Sequence, residues 1–135
     1  MKRKLVAAVV AIVAAATIIL TVPTKADAAG GRCPRYESLM YAYGPKRGWP
    51  VQRMSYIAWR ESRCIPTAVN KTGGDSGLFQ IHPVTWEFLS RKFGVTVNRE
   101  WLLDVVNNVR AAAVLCDYGR RVFGSCLQPW RVNNG

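Results

Sequence analysis

The sequence predicts a small, mainly α-helical domain, exported and tied by disulfides, with at most a very small β element. Three observations carry this reading. Beyond residue 33, apolar side chains recur at intervals of three and four through most of the chain, the spacing of one helix face. All four cysteines (Cys33, Cys64, Cys116 and Cys126) follow a hydrophobic leader. The short apolar run from Leu78 to Ile81 has too few residues for a surface helix and reads as a brief buried strand or extended turn.

The leader comes first. Lys2, Arg3 and Lys4 form a basic start, residues 5–22 are an unbroken run of apolar residues and threonines, and Ala26-Asp27-Ala28 has the small-x-small form of a cleavage site. This pattern is that of a secretory signal peptide, 1–28. The apolar run, 18 residues long, lies at the lower edge of bilayer-spanning length, so an uncleaved membrane anchor is the competing reading. Cleavage after Ala28 leaves 29–135, one domain of 107 residues with room for a modest core. No internal repeat or low-complexity linker marks a second domain. In a short exported chain an even number of cysteines reads as a disulfide framework. Zinc is disfavoured, because the spacings of 31, 52 and 10 contain no Cys-x-x-Cys and the only histidine is His82. No metal or other cofactor is expected.

Tyr36, Leu39, Met40 and Tyr43 draw a helical stripe from Pro34 to Tyr43. The Gly44 to Pro50 segment then turns the chain back into a second helix, whose stripe of Val51, Met54 and Ala58 passes through position 61 towards Ile65. In such an antiparallel hairpin the start of one helix lies beside the end of the next, which places Cys33 near Cys64. Glu61 falls on the stripe in the last turn, before Cys64 and Pro66. Burial near the negative end of a helix macrodipole is an environment in which a carboxylic acid keeps its proton and can act as a general acid. The bland alternative is a glutamate that pairs with Arg60, Arg63 or a distant arginine. Further on, Pro83 opens a helix running to Phe93 before a Gly94 cap, and Asn98 caps a short turn to Leu103. Asp104 caps a helix from Val105 to about Tyr118, apolar on most sides and so expected to be central and buried, with Gly119 ending it. The return through Gly124 and Pro129 allows Cys116 to meet Cys126.

Between the hairpin and the later helices stands a polar, glycine-containing loop. The order Glu61-Ser62, Pro66, Ala68, Asn70, then Gly77-Leu78-Phe79-Gln80-Ile81 and Pro83, resembles the lytic transglycosylase domain of the goose-type-lysozyme-like superfamily. Asn108-Val-Arg-Ala-Ala-Ala resembles that family's second motif, with alanine where many relatives carry glycine. The resemblance implies a lysozyme-like α-rich fold that cleaves the glycan strands of peptidoglycan, with Glu61 as catalytic acid and base. It implies the β-1,4 bond between N-acetylmuramic acid and N-acetylglucosamine as the bond cut. Without a second acid the implied reaction is intramolecular and leaves 1,6-anhydromuramyl ends.

Most glycoside hydrolases use two carboxylates. Of the exported acids only Asp75 lies near the motif, in Thr72-Gly-Gly-Asp-Ser-Gly, where its alternative is a turn residue bonding its own backbone. Asp75 as second acid would make the protein a lysozyme-type hydrolase. Ser62, Gln80, Tyr118 and Trp130 are the candidate substrate contacts, since sugar rings pack their C–H faces on flat side chains. A non-catalytic cell-wall glycan-binding protein is the alternative outside enzymology. The whole chain carries net charge +11, and 29–135 carries 15 basic against 7 acidic residues, or +8. Such a surface attracts anionic cell-wall polymers or membrane headgroups. No nucleic-acid-binding motif is present, so nucleic acid is not an expected partner, and a monomer is expected.

Overall fold

The computed structural model describes residues 31–44 and 48–130, so the leader with its cleavage site lies outside the described residues. Helix α1 (Pro34–Tyr43) and helix α2 (Val51–Ser62) pack as the expected hairpin, and the Cys33–Cys64 disulfide joins the start of the first to the end of the second. Proline suits the first turn of α1, where its missing N–H would find no intrahelical acceptor. The turn is fastened by Trp49, whose buried indole N–H donates to the Met40 carbonyl at 2.9 Å. Val51, Met54, Ile57 and Ala58 bury one face of α2.

The stripe ends sooner than its spacing suggests. Helix α2 stops at Ser62 because Arg63 and Cys64 take left-handed backbone angles, φ 56° and 63°. That reversal delivers Cys64 to its disulfide and turns Ile65 outward, so Ile65 is 45% exposed rather than part of the core.

The chain then forms a loop whose only ladder elements among the described residues are two isolated antiparallel bridges, Val69 to Ser76 and Ser76 to Ile81. The expected very small β element is thus a pair of bridges, with Leu78 and Phe79 wholly buried in the turn between them. A short 3₁₀ turn (Pro83–Thr85) precedes helix α3 (Trp86–Phe93), which closes on Gly94 at φ 67°. Helix α4 (Arg99–Leu103) is capped by Asn98, whose side chain accepts from the Trp101 N–H. Asp104 caps helix α5 (Val105–Phe123) by accepting from the Asn107 N–H.

Helix α5 is central, with both Val109 and Ala111–Cys116 in the core, but it does not end at Gly119. It continues one further turn to Phe123 and stops at Gly124, φ 71°. An interior glycine costs a helix only about 1 kcal/mol, and here its bare backbone serves packing. A Cβ on Gly119 would stand 2.7 Å from the Ser125 carbonyl and 2.9 Å from Pro129 Cδ. The return segment therefore lies directly on α5, held by the Cys116–Cys126 disulfide, and ends in a 3₁₀ turn (Gln128–Trp130). Among the described residues no helix is long and apolar enough to cross a membrane.

Candidate active site

Glu61 projects from the last turn of α2 into a cleft of about 560 Å³, a volume that suits a small ligand or a few sugar units. The polar lining is Glu61, Asp75, Gln80, His82, Thr85 and Gln128, and the apolar wall includes Phe88, Leu115, Tyr118, Phe123 and Trp130. Polar groups face a wall of flat and aliphatic side chains.

The carboxylate is half-buried, its side chain 24% exposed, rather than sunk in the stripe. Its environment is set by its neighbour in sequence. Arg60 donates to Glu61 Oε1 from Nε at 3.1 Å and from Nη2 at 2.7 Å, and the same Nη2 donates to the Trp130 carbonyl at 2.7 Å. Both donors converge on one oxygen. Among the described residues Glu61 Oε2 accepts no hydrogen bond, so it is the oxygen left for a ligand. The pairing that the bland reading foresaw and the exposure to the cleft therefore coexist on the two oxygens of one carboxylate.

The motif loop is built around Asn108. Wholly buried on α5, its Oδ1 accepts the Phe79 N–H at 2.8 Å, and its Nδ2 donates to the carbonyls of Ser76 at 3.0 Å and Leu102 at 2.9 Å. Both amide N–H donors and the amide oxygen are thus engaged by backbone. Gly77 must be glycine here: its φ is 81°, and a Cβ would fall 2.0 Å from Asn108 Nδ2. The tight turn leaves Gln80 with a left-handed φ of 47°. Its side-chain amide nitrogen holds that conformation by donating to the Ala68 and Gly77 carbonyls at 3.0 and 2.9 Å. The amide oxygen remains as its group for a ligand.

Asp75 reaches the same cleft, with Oδ2 accepting from Asn70 Nδ2 at 3.2 Å in a loop that also folds the Thr72 and Gly73 N–H groups onto Asn70 Oδ1. Tyr118 lies against Phe88 and Phe123, ring centroids 5.2 and 6.1 Å apart. Trp130 is nearly buried; its indole N–H donates to the Phe79 carbonyl at 3.0 Å, and it forms part of the cleft wall.

Ser62 does not join them. It is buried, does not line the cleft, and its hydroxyl donates to the Ala58 carbonyl at 2.9 Å. The motif pairs it with Glu61 in sequence, but neighbours on a helix point about 100° apart.

His82, Phe88, Leu115 and Phe123 also line the cleft, and sequence reasoning had not picked them out as site residues. His82 Nδ1 accepts the Val84 N–H at 3.1 Å, which leaves Nε2 to carry the ring proton. Phe88 and Leu115 have the spacing of ordinary core residues, and Phe123 reaches the cleft only because α5 runs past Gly119. The signal available for His82 was its position one residue before the proline of the motif.

Residues 38–125, more than half of the chain, match the family model of the transglycosylase SLT domain. The chain belongs to this family. The SLT domain is a peptidoglycan-cleaving lytic transglycosylase module, and its substrate class is the glycan strand. Its matched stretch contains Glu61, Asp75, Gln80, Asn108 and Tyr118. Cys33, Cys126 and Trp130 lie outside it, so this SLT domain carries one cysteine of each disulfide and one cleft wall beyond the matched residues. No curated protein and no solved structure gives a match.

Proposed function

We propose that the chain is an exported lytic transglycosylase that cuts the β-1,4 bond between N-acetylmuramic acid and N-acetylglucosamine, with Glu61 as general acid and base. The observation that carries this is the unengaged Oε2 of Glu61 on an aromatic-walled cleft, within an SLT domain. Glu61 gives its proton to the glycosidic oxygen as the C1–O bond breaks, so the N-acetylglucosamine leaves as a neutral alcohol. The muramyl acetamido oxygen closes on C1 and holds its developing positive charge. The Glu61 carboxylate then takes the proton of the muramyl 6-hydroxyl, whose oxygen displaces the acetamido group to form the 1,6-anhydro ring. Acid and base are one group, restored at the end of the cycle.

Arg60 holds Oε1 while this happens, so the working oxygen stays directed at the cleft. Tyr118 and Trp130 offer apolar ring surface to the sugars, and the Gln80 amide oxygen offers an acceptor to a hydroxyl or acetamido N–H. Export by the 1–28 signal peptide, with the mature enzyme secreted or held at the envelope as a monomer, belongs to the same proposal. If the leader is retained, the domain is membrane-anchored.

Asp75 favours a second reading, since it lines the same cleft. As the base that activates a water it would turn the site into a lysozyme-type hydrolase. Its engagement by Asn70, in a loop with glycines at 73 and 74, suits a turn better than a rigid support for water.

Turbidity clearing of purified cell walls by wild type and Glu61→Gln tests the assignment. The amide keeps the shape and cannot deliver a proton, so clearing falls below a few per cent. Full clearing by Glu61→Gln would remove Glu61 from the mechanism, and no clearing by wild type would leave a glycan-binding protein. Mass spectrometry of the digest then separates the products, because an anhydro end is lighter than a hydrolysed end by one water.

A further inference from the structure

Adjoining the cleft is a second recess of about 400 Å³, lined by Gln52, Arg53, Tyr56, Arg60 and Leu127, with Trp130 as a wall shared between the two. Their charges are opposite. The cleft presents the carboxylates of Glu61 and Asp75, whereas the recess presents Arg53 and Arg60 and no acidic residue. Arg60 is already committed to Glu61 and the Trp130 carbonyl. Arg53 is exposed on α2 and makes no ion pair or hydrogen bond among the described residues, and the same holds for the Tyr56 hydroxyl and the Gln52 amide. Gln52 and Arg53 also border a shallower hollow against Tyr41 and Trp49, which puts Arg53 on the ridge between two depressions.

We infer that this recess is a subsite for the peptide branch of the substrate, with Arg53 binding a carboxylate of a peptide attached to the glycan in the cleft. The inference rests on the peptidoglycan reading above. Peptidoglycan joins two chemistries in one molecule: sugars, which an aromatic-walled cleft suits, and carboxylate-bearing peptides, which such a cleft with two acids of its own repels. A branch that leaves the sugar beside Trp130 passes from the acidic surface to the basic one. There it meets a guanidinium free for bidentate contact, with a phenol and an amide beside it as further donors.

The test uses the whole protein, with Arg53→Glu as the main variant and Gln52→Glu as a second that adds negative charge without removing the arginine. Neither residue touches the cleft. Cleavage is measured on peptidoglycan fragments bearing their peptides, on the same strands stripped of peptides, and on fragments whose peptide carboxylates have been amidated. Arg53→Glu is expected to raise KM on peptide-bearing strands roughly three- to tenfold, the scale of one or two partly exposed ion pairs. Its kcat stays unchanged, and stripped or amidated strands show no difference from wild type. An equal KM change on stripped strands, or no change on any substrate, overturns the inference. So does a change seen only with whole walls that carry phosphate polymers. Binding of fragments to Glu61→Gln protein, which needs no cleavage, separates the two readings. An Arg53 effect there without cleavage by wild type keeps the subsite and sinks the enzyme; cleavage without an Arg53 effect does the reverse.

Discussion

Replacing Asn108 by alanine is expected to be the most damaging single truncation on the cleft side of the domain. The substitution strips two buried backbone groups, the Phe79 N–H and the Leu102 carbonyl, of the hydrogen bond they make to the amide, and leaves the Ser76 carbonyl with the Ile81 N–H alone. Ser76 and Asn108 are wholly buried, so water has no ready route in. A buried polar group stripped of its hydrogen bond costs about 1–3 kcal/mol. Two such groups set a ceiling of roughly 6 kcal/mol, and partial relaxation of the loop into the vacated space reduces it to an expected ~2–4 kcal/mol, at the upper end of single substitutions. Urea unfolding with the disulfides intact measures this directly, provided the slope of the transition stays constant between variants. In the fraction that remains folded, the Gly77 to Ile81 turn loses its tie to α5, and turnover is expected to fall with it. A loss of stability under about 1 kcal/mol would show that the amide is not bonded as described and that the loop is held by Leu78 and Phe79 packing alone.

Opening the disulfides is expected to destabilise more for the longer loop, with the logarithm of its length: about 3.7 kcal/mol for Cys33–Cys64 and about 2.7 for Cys116–Cys126 from separations of 31 and 10, read from serine-pair variants by chemical denaturation. Arg60→Gln should cost less than about 1 kcal/mol of stability, as befits a partly exposed ion pair, yet lower kcat at least tenfold by freeing the Glu61 side chain. A kcat equal to wild type would mean that Arg60 does not position the carboxylate. Asp75→Asn is expected to keep at least a tenth of wild-type turnover and to yield mainly anhydro ends. Mainly reducing ends, with Asp75→Asn as inactive as Glu61→Gln, would make the protein a hydrolase.

The architecture was legible where the determinants are local. Asn98, Asp104 and Gly94 act through their own side chains or backbone within one turn, and each caps the element that the sequence assigned to it. The hairpin was legible because two helical stripes and a short connection leave few arrangements, and Cys33 and Cys64 follow from it. Gly119 misled because its local preference, to end a helix, was overridden by a packing need: the return segment had to lie on α5. Ile65 failed for the same kind of reason, since the reversal at Arg63 and Cys64 is driven by the disulfide rather than by the stripe. Glu61, Gln80 and Tyr118, singled out from the sequence, line one cleft, but Ser62 shares a motif with Glu61 without sharing its direction. Phe88 and Leu115 carry no mark that distinguishes a cleft wall from a core, because the cleft exists only where α3, α5 and the return segment converge.

The hydrogen bond from Arg60 to the Trp130 carbonyl spans 70 positions and ends on main chain. An acceptor of this kind has no residue identity. Any amino acid at position 130 would supply the same oxygen, and none would announce it, so pattern-based comparison has nothing there to detect. A shortened protein cut at residue 125 would retain each residue by which the domain is recognised. It would nonetheless lose Cys126, the Trp130 wall and the backbone oxygen that shares Arg60 with Glu61. The boundary suggested by similarity and the boundary needed by the cleft lie at least five residues apart, and any shortened form should be drawn to the second.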